Sequence, residues 1–279
     1  MAKRVAVIND LSGFGKCSLT AAIPVLSVMG IQACPVPTAV LTNQSGFDKY
    51  RCVDFTDNMD DYIEMWRENK AEFDGIFSGY VANVRQIDII ERFIDTFRKE
   101  NTKVMVDPVM GDYGVRHKAC DEHMCRKMRD LANKADYITP NMTELCILTD
   151  NSYSEVVELS GDKLFVRIQD MAMGLAAANS QTVIVTGVTD GGSIYNCIYD
   201  KSGSYLAKSK LFSGSFSGTG DLFASAFLGG IMNGLCIKDC VSKASKFLEK
   251  SVADTVCIEN HDRNNGVEFE KNLKYLMED

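Results

Sequence analysis

Residues Ser213–Asp221 read SGSFSGTGD, and the apolar sequence LFASAFLGG of residues 222–230 follows them directly. This pattern predicts a flexible turn that leads into a buried helix. Gly218 and Gly220 lack the side chains that would keep a ligand away from the backbone, so successive N–H groups can converge on an anion at the helix N-terminus. The stretch therefore predicts a site for a phosphate-sized anion.

Asp221 falls in the first turn of this predicted helix. There the positive end of the helix dipole is expected to lower the pKa of its carboxyl and keep it ionised as a proton acceptor. Phosphoryl transfer needs an anion site and a base side by side, because charge on the transferred group is stabilised while the attacking hydroxyl loses its proton. Helix capping by Asp221 is the simpler interpretation of a Gly-Asp pair taken alone. Motifs elsewhere in the chain are needed to distinguish a capping residue from a catalytic base.

Short apolar runs alternate with helical segments along the whole chain. This alternation predicts an α/β fold with a single doubly wound, mainly parallel sheet flanked by helices and joined by right-handed crossovers. Two alternating segments around Lys201-Ser202-Gly203 predict a β-hairpin at the sheet edge. No linker or repeat divides residues 1–279, which we interpret as one domain. The predicted strands are Val5–Ile8, Ile31–Val36, Phe73–Phe77, Val104–Val106, Tyr137–Thr139, Val183–Val185, Ser193–Tyr199 and Ser204–Lys210. The predicted helices are Ser18–Met29, Phe55–Asn69, Val84–Glu100, Met124–Lys134, a helix from Met142, Gly161–Asn179, the helix after Asp221, Ile237–Val256 and Phe269–Met277.

The composition excludes several classes of protein. A formal net charge of −8 and a pI near 5.0 argue against binding to nucleic acid or to anionic membranes, which requires a basic face. The ten cysteines contain no Cys-x-x-Cys pair, so we expect a reduced protein. No apolar segment of the signal-peptide type follows Lys3-Arg4, and no apolar run reaches about 18 residues. We therefore expect a cytoplasmic protein.

Polar residues follow the predicted strands at Asp10, Tyr80, Asp107, Thr139 and Thr186. In doubly wound sheets, ligands bind outside the carboxyl ends of the strands, so we expect these residues to share one cleft with the base. The loop Gly13–Ser18 is not a P-loop, because that motif requires Gly where Asp10 stands and Ser or Thr where Cys17 stands.

Several residues at or shortly after these strand ends have more than one interpretation from the sequence. Tyr80 can cover a flat ligand or cap the core. The carboxylates of Asp107 and Asp112 suit cations beside a phosphate, or they belong to an ordinary turn. Asn141 and Glu144 have the spacing of a capping box, and they can equally hold phosphate and metal-bound water. Residues 113–118 resemble a mobile lid over the site.

Four motifs, in this order, resemble the pyridoxal kinase branch of the ribokinase-like superfamily, over nearly the whole chain. The last motif is shared across the superfamily, whereas the first two point to kinases of B6 vitamers. The motifs are Ser78-Gly79-Tyr80, the sequence DPVMGD of residues 107–112, Thr139-Pro140-Asn141 with Glu144, and Gly218-Thr219-Gly220-Asp221. The turn Ser12–Gly15 is similar to that of bacterial members described as pyridoxamine or pyridoxal kinases.

This resemblance implies ATP-dependent phosphorylation of the 5′-hydroxymethyl group of a B6 vitamer in B6 salvage. Asp221 would be the base, and Gly218, Thr219 and Gly220 would form the anion hole. Alternatives are a hydroxymethylpyrimidine kinase of thiamin synthesis and a non-catalytic pyridoxal-binding protein of the same fold. The resemblance also implies a homodimer.

The resemblance implies roles for further residues. Tyr80 would stack on the pyridine ring, and Ser45 would contact a ring substituent. Better-known members carry Gln-Ser-His after the first strand, where this chain has Asn9-Asp10-Leu11. Asp10 would then pair with a protonated ring nitrogen or an amine. The implied ATP site comprises Asp112, Asn141, Glu144, Thr186, Gly187 and Thr219. The implied metal sites comprise Glu144, which holds Mg²⁺ through water, and Asp107, Thr139 and Thr186, which hold K⁺.

Overall fold

The computed structural model describes residues 2–277 as a nine-stranded sheet with helices on both faces. The strands are β1 (Arg4–Ser12), β2 (Gln32–Leu41), β3 (Cys52–Asp54), β4 (Gly75–Ser78), β5 (Lys103–Val106), β6 (Gly111–Asp112), β7 (Val115–Arg116), β8 (Tyr137–Ile138), β9 (Thr182–Asp190), β10 (Ser193–Asp200) and β11 (Gly203–Lys210). The helices are α1 (Ser18–Val28), α2 (Thr56–Glu68), α3 (Val84–Phe97), α4 (Glu122–Ala132), α5 (Met142–Leu148), α6 (Tyr153–Val157), α7 (Asp162–Asn179), α8 (Thr219–Met232), α9 (Ile237–Thr255) and α10 (Lys274–Met277).

The sheet has the order β11-β10-β9-β8-β5-β4-β1-β2-β3. Its six middle strands, from β9 to β2, run parallel, and the strands at each end are antiparallel. The predicted doubly wound, mainly parallel sheet is therefore confirmed. The predicted hairpin is confirmed as β10 and β11 at one edge of the sheet.

The middle strands are apolar on both faces, as strands covered by helices on each side should be. In β1, Val5 and Val7 face the cluster under α1, α8 and α9, whereas Ala6 and Ile8 face the cluster under α2, α3 and α4. In β5, Met105 alternates in the same way with its two valine neighbours. This two-sided burial explains why the strands appear in the sequence as continuous apolar runs.

The amphipathic stripe predicted for α3 is the face that packs on the sheet. Ile87, Ile90, Ile94 and Phe97 are all buried. Burial of each such side chain contributes roughly 1.5–3 kcal/mol to folding. Rings from α2 and α3 extend this layer, with Phe93 and Phe97 centroids 4.6 Å apart.

Several predicted boundaries were wrong. The first strand extends to Ser12, so Asp10 and Ser12 lie on the strand end and point to the same face, because side chains alternate along a strand. The second strand continues to Leu41 although it contains Pro35 and Pro37. Both prolines precede Ala39–Leu41, the residues that pair with β3. Instead of the last predicted helix, a 3₁₀ turn over Glu270–Asn272 precedes the short α10. Asn272 is buried there and donates to Asp254, which fixes the tighter turn.

No helix within residues 2–277 combines the length and the hydropathy needed to cross a lipid bilayer.

Candidate active site

The Asp221 carboxylate lies in the first turn of α8, at the carboxyl end of the sheet. The Asn9 side-chain amide donates to it at 3.2 Å. The backbone N–H of Ser18, at the start of α1, is a second donor. The same Asn9 side chain accepts from the backbone N–H groups of Asp10, at 3.0 Å, and Tyr80, at 2.9 Å. Asn9 therefore connects the ends of β1 and β4 to the candidate base.

The predicted lowering of the pKa of Asp221 was wrong. Burial raises the pKa of Asp221 to about 6, and the negative charge of Asp10 adds to the rise. The hydrogen bonds from Ser18 and Asn9 lower the pKa but do not cancel the effect of burial. A general base works best when its pKa lies near the operating pH, so the shift favours proton transfer at neutral pH.

This pKa predicts the pH dependence of the reaction that Asp221 would serve. Because the base must be ionised in the free protein, we expect kcat/KM to be constant above pH 7 and to fall about tenfold per pH unit below pH 6. The measurement is kcat/KM between pH 4.5 and 8.5. The fold must stay intact at each pH, as judged by circular dichroism. An activity that is flat down to pH 5 would contradict the role of Asp221.

The turn before α8 presents its backbone to the site. Within residues 2–277, no acceptor is bonded to the N–H groups of Gly218, Thr219 and Gly220. Gly218 has φ +81°, and a Cβ at this position would lie 2.0 Å from the carbonyl oxygen of Lys16. Only glycine fits this approach, because φ is positive and there is no room for a side chain. The predicted anion site thus has available donors directly beside Asp221.

Asp10 and Tyr80 lie together on the other side of Asn9. The two oxygens of the buried Asp10 carboxylate accept from Ser18 Oγ at 2.5 Å and Ser12 Oγ at 2.9 Å. Burial raises the pKa of Tyr80 to about 12, and the next largest cause is the charge of Asp10, which places the phenol near this carboxylate. Thr38 Oγ1 donates to the Tyr80 carbonyl at 3.0 Å, so the backbone on both sides of the ring is fixed.

Ser45 lies in an exposed turn, and the contacts of the described residues do not connect it with Asp10 or Tyr80. Its role stays a prediction. Its neighbour Gln44 is buried and donates to Ser217 Oγ at 3.3 Å and to the Asn264 side chain at 3.0 Å. Gln44 therefore ties this turn to the turn before α8. The sequence does not reveal this link, because nothing local in Thr-Asn-Gln-Ser indicates a partner 173 residues away.

A second group of carboxylates lies beside the anion site. Asp107 lies close to the turn before α8, since a Cβ added to Gly220 would be 4.0 Å from Asp107 Oδ2. Asp107 Oδ1 accepts a hydrogen bond from Thr139 Oγ1 at 3.1 Å. Burial and then the charge of Asp221 raise the pKa of Asp107. Burial and then the charge of Asp107 raise the pKa of Glu144 well above its usual range. The structure therefore brings Asp107, Thr139 and Glu144 together with Asp221.

Asn141 and Glu144 form the capping box of α5. Asn141 Oδ1 accepts from the Glu144 N–H at 3.0 Å, and Glu144 Oε2 accepts from the Asn141 N–H at 2.8 Å. Glu144 Oε1 also accepts from the Met110 N–H at 3.1 Å, and the Asn141 amide donates to the Gly111 carbonyl at 2.8 Å. The capping interpretation is thus correct. It still leaves acceptor capacity on Glu144, because each carboxylate oxygen accepts more than one hydrogen bond.

The predicted lid supplies the Tyr113-Gly114 turn and the second strand, β7, of a small β-hairpin whose first strand is β6. The Gly114 N–H donates to Thr143 Oγ1 at 2.8 Å, which docks the turn on α5. Asp112 lies on the first strand, more than a third exposed, and its carboxylate accepts from the Tyr113 N–H at 3.0 Å. Partial burial raises the pKa of Asp112, and the charges of His117 and Arg263 oppose the rise. Asp112 therefore lies where cationic side chains approach.

Thr186 and Gly187 do not end a strand, because β9 continues to Asp190. They form a bulge, in which these two residues oppose the single residue Asn196 of β10. Gly187 has φ +70°, and its N–H donates to Asn196 Oδ1 at 3.2 Å. The Thr186 N–H donates to the Pro140 carbonyl at 2.9 Å, which holds the bulge beside Asn141. A bulge of this kind re-aims side chains at the rim of a site.

The oxygen-rich character of this group fits hard cations such as Mg²⁺ and K⁺. No Lys or Arg side chain forms an ion pair with Asp107 or Glu144 among the described residues. Within residues 2–277, no three His, Cys, Asp or Glu side chains converge enough to hold a metal alone. Mg²⁺ is commonly held by one or two carboxylates, substrate phosphates and water, so the donor set fits that mode.

A surface cavity of about 620 Å³ lies elsewhere, at the amino ends of β5 and β8. Two ion pairs lie in its lining, between Arg98 and Asp136 at 2.8 Å and between Lys134 and Asp95 at 3.1 Å. We do not interpret it as the active site, because ligands of doubly wound sheets bind at the carboxyl ends.

Comparisons with known proteins show the family and the fold that this chain shares. The family model described as phosphomethylpyrimidine kinase matches residues 15–265. A protein of Bacteroides thetaiotaomicron described as a phosphomethylpyrimidine kinase is 35% identical, with a TM-score of 0.93 over 99% of this chain and 94% of that chain. Its orthorhombic form with pyridoxal is 34% identical, with a TM-score of 0.92 over 99% and 96%.

Two further relatives are named as pyridoxal kinases. The structure of the Lactobacillus plantarum enzyme is 26% identical, with a TM-score of 0.89 over 99% of this chain and 97% of that chain. The Rubrobacter xylanophilus enzyme is 27% identical over 248 residues, which cover 84% of this chain and 81% of that protein. The Lactobacillus plantarum structure therefore covers the whole sheet and the candidate site.

Proposed function

The chain belongs to the phosphomethylpyrimidine kinase family, where it stands with the pyridoxal kinases of the ribokinase-like fold, and we propose that it phosphorylates a vitamin B6 vitamer with ATP. The observation that carries the proposal is the position of Asp221. Its carboxylate is held by Asn9 and Ser18 at the point where the available N–H groups of α8 begin.

The reaction follows from these groups. Asp221 accepts the proton of the vitamer's 5′-hydroxyl, and the oxygen forms a bond to the γ-phosphorus of ATP as the bond to the ADP oxygen breaks. The N–H groups of Gly218, Thr219 and Gly220 stabilise the charge on the transferred phosphoryl group. The products are the vitamer 5′-phosphate and ADP.

The vitamer would lie between Tyr80 and the ends of β1 and β2. Tyr80 would stack on the pyridine ring, and Ser45 would contact a ring substituent. Asp10 would pair with the protonated ring nitrogen or with an amine, since its buried carboxylate has hydroxyl partners but no basic side chain among the described residues. Vitamers that bring a positive charge should therefore bind more tightly than neutral ones.

ATP would lie along Asp112, Asn141, Thr186, Gly187 and Thr219. Glu144 would hold Mg²⁺ through water, and a bound ion would neutralise charge on the phosphates. K⁺ would be held by Asp107, Thr139 and Thr186, where oxygen atoms face the anion site. We also propose that the protein is a cytoplasmic homodimer that acts in B6 salvage.

Hydroxymethylpyrimidine phosphorylation is the second candidate, because the matching family model is described as phosphomethylpyrimidine kinase, which names a phosphorylated form of a related pyrimidine. The test is ADP release with ATP and Mg²⁺ in the presence of pyridoxal, pyridoxamine, pyridoxine or hydroxymethylpyrimidine, with the phosphorylated product identified by mass spectrometry. We expect one ADP per vitamer phosphate and a kcat/KM for the best vitamer at least about tenfold above that for the pyrimidine. A higher value for the pyrimidine would establish the second candidate. Vitamer binding without turnover would indicate a non-catalytic binding protein.

A further inference from the structure

Ser18 has an unusual backbone for a residue at the start of a helix. It is buried, it begins α1, and its φ is +50°, in the left-handed region that a residue with a side chain seldom occupies. Backbone strain of this kind persists where the surrounding structure demands it, and such residues cluster at functional sites. The contacts of Ser18 show what this conformation achieves.

Its main chain and its side chain bind two different carboxylates. The backbone N–H donates to Asp221. The hydroxyl donates to Asp10 Oδ1 at 2.5 Å. In a right-handed helical conformation, the N–H of this residue would point along the helix axis with its neighbours. The left-handed backbone turns it toward Asp221 while the short side chain still reaches Asp10.

The other donors of the two carboxylates differ from Ser18. Ser12 Oγ reaches Asp10, and the Asn9 amide reaches Asp221. Neither donates to both groups. The start of α1 also packs against α8 through apolar contacts, since Leu19, Ala22 and Leu222 belong to one buried cluster. The position of Ser18 is therefore fixed relative to the helix that carries the base.

We propose that Ser18 is a positioning residue that holds the vitamer-binding carboxylate of Asp10 and the base Asp221 in one fixed arrangement. Its hydroxyl orients Asp10 for substrate binding, and its backbone N–H orients Asp221 for proton transfer. The two functions are separable, because one depends on the side chain and the other on the backbone conformation. This inference rests on the proposed function.

Two substitutions separate the two functions. Ser18→Gly removes the hydroxyl but keeps an N–H and accepts a positive φ, so the vitamer KM should rise about tenfold while kcat stays within about threefold. Ser18→Thr keeps a hydroxyl but places a β-branched residue at positive φ, which displaces the N–H. We expect its kcat to fall about tenfold, and the acid limb of its pH profile to move to higher pH, because Asp221 loses a donor that stabilises its charged form. Ser12→Ala is the matched control, with a raised KM and an unmoved acid limb.

A double-mutant cycle with Asp10→Ala tests the route through Asp10. Once the carboxylate is removed, Ser18→Gly should raise KM by less than about twofold further, because the Ser18 hydroxyl has lost its acceptor. Additive effects on KM, or a parallel loss of kcat, kcat/KM and Tm in both Ser18 variants, would overturn the inference and leave a purely structural role. If Ser18→Thr does not fold, the KM of Ser18→Gly and the double-mutant cycle still test whether Ser18 acts through Asp10. Failure of the proposed function is distinct, because the unmodified protein would then show no vitamer-dependent ADP release.

Discussion

Replacement of Asp221 by Asn is expected to lower kcat by about a thousandfold, within the range that removal of a general base produces. Asn has nearly the same shape, but it cannot take the proton of the substrate hydroxyl. ATP and vitamer binding should change little, because neither the N–H groups before α8 nor the contacts of Tyr80 depend on this charge. The measurement is kcat by ADP release, together with the Kd for ATP and for vitamer from calorimetry.

The same variant carries a prediction for stability. Burial raises the folded pKa of Asp221 above its unfolded value, so the ionised carboxylate destabilises the fold at a pH above about 6, and this cost disappears at a pH below the unfolded value. The Tm of Asp221→Asn at pH 8 should therefore equal or exceed that of the unmodified protein. Asp239→Asn is the control, because Asp239 occupies the first turn of α9, away from the site. Retention of more than a tenth of the activity would remove Asp221 from the role of base.

The sequence predicted the sheet well, because two-sided burial forces continuous apolar runs such as Val104–Val106. It predicted the ends of strands less well. Asp10 and Ser12 extend β1, and Thr186 and Gly187 lie inside β9, because pairing with a neighbouring strand continues past the last apolar residue. Such pairing depends on distant segments that local periodicity does not reveal.

The same limit applies to the site. Ligands of doubly wound sheets bind at the carboxyl ends of the strands, and this rule depends on topology alone. It was therefore enough to group Asp10, Tyr80, Asp107 and Asp221. The predicted direction of the pKa shift of Asp221 was wrong. The helix dipole is a local effect that the sequence reveals, whereas burial depends on how β1, α1 and α8 pack around the carboxyl. The roles of single residues in the site stay predictions.

Replacement of Gly218 by Ala should have the second large effect. The new Cβ would lie 2.0 Å from the Lys16 carbonyl oxygen, and Gly218 has φ +81°. Both the clash with backbone atoms and the strained φ destabilise the fold, by roughly 3 kcal/mol together. Relief of the clash must move either the anion site or the segment that leads into Ser18. A shift of about 1 Å in either place costs about a hundredfold in kcat/KM.

Gly214→Ala is the matched control for this variant. Gly214 lies in the same turn with φ +90°, but a Cβ there would meet only the Phe216 ring, at 3.6 Å. Its backbone strain should cost about 1–2 kcal/mol and leave kcat/KM close to that of the unmodified protein. If both variants lose kcat/KM equally, backbone strain explains the effect and the close contact with Lys16 does not. If only Gly218→Ala loses it, the contact between the turn before α8 and the start of α1 sets the geometry of the base and the anion site together.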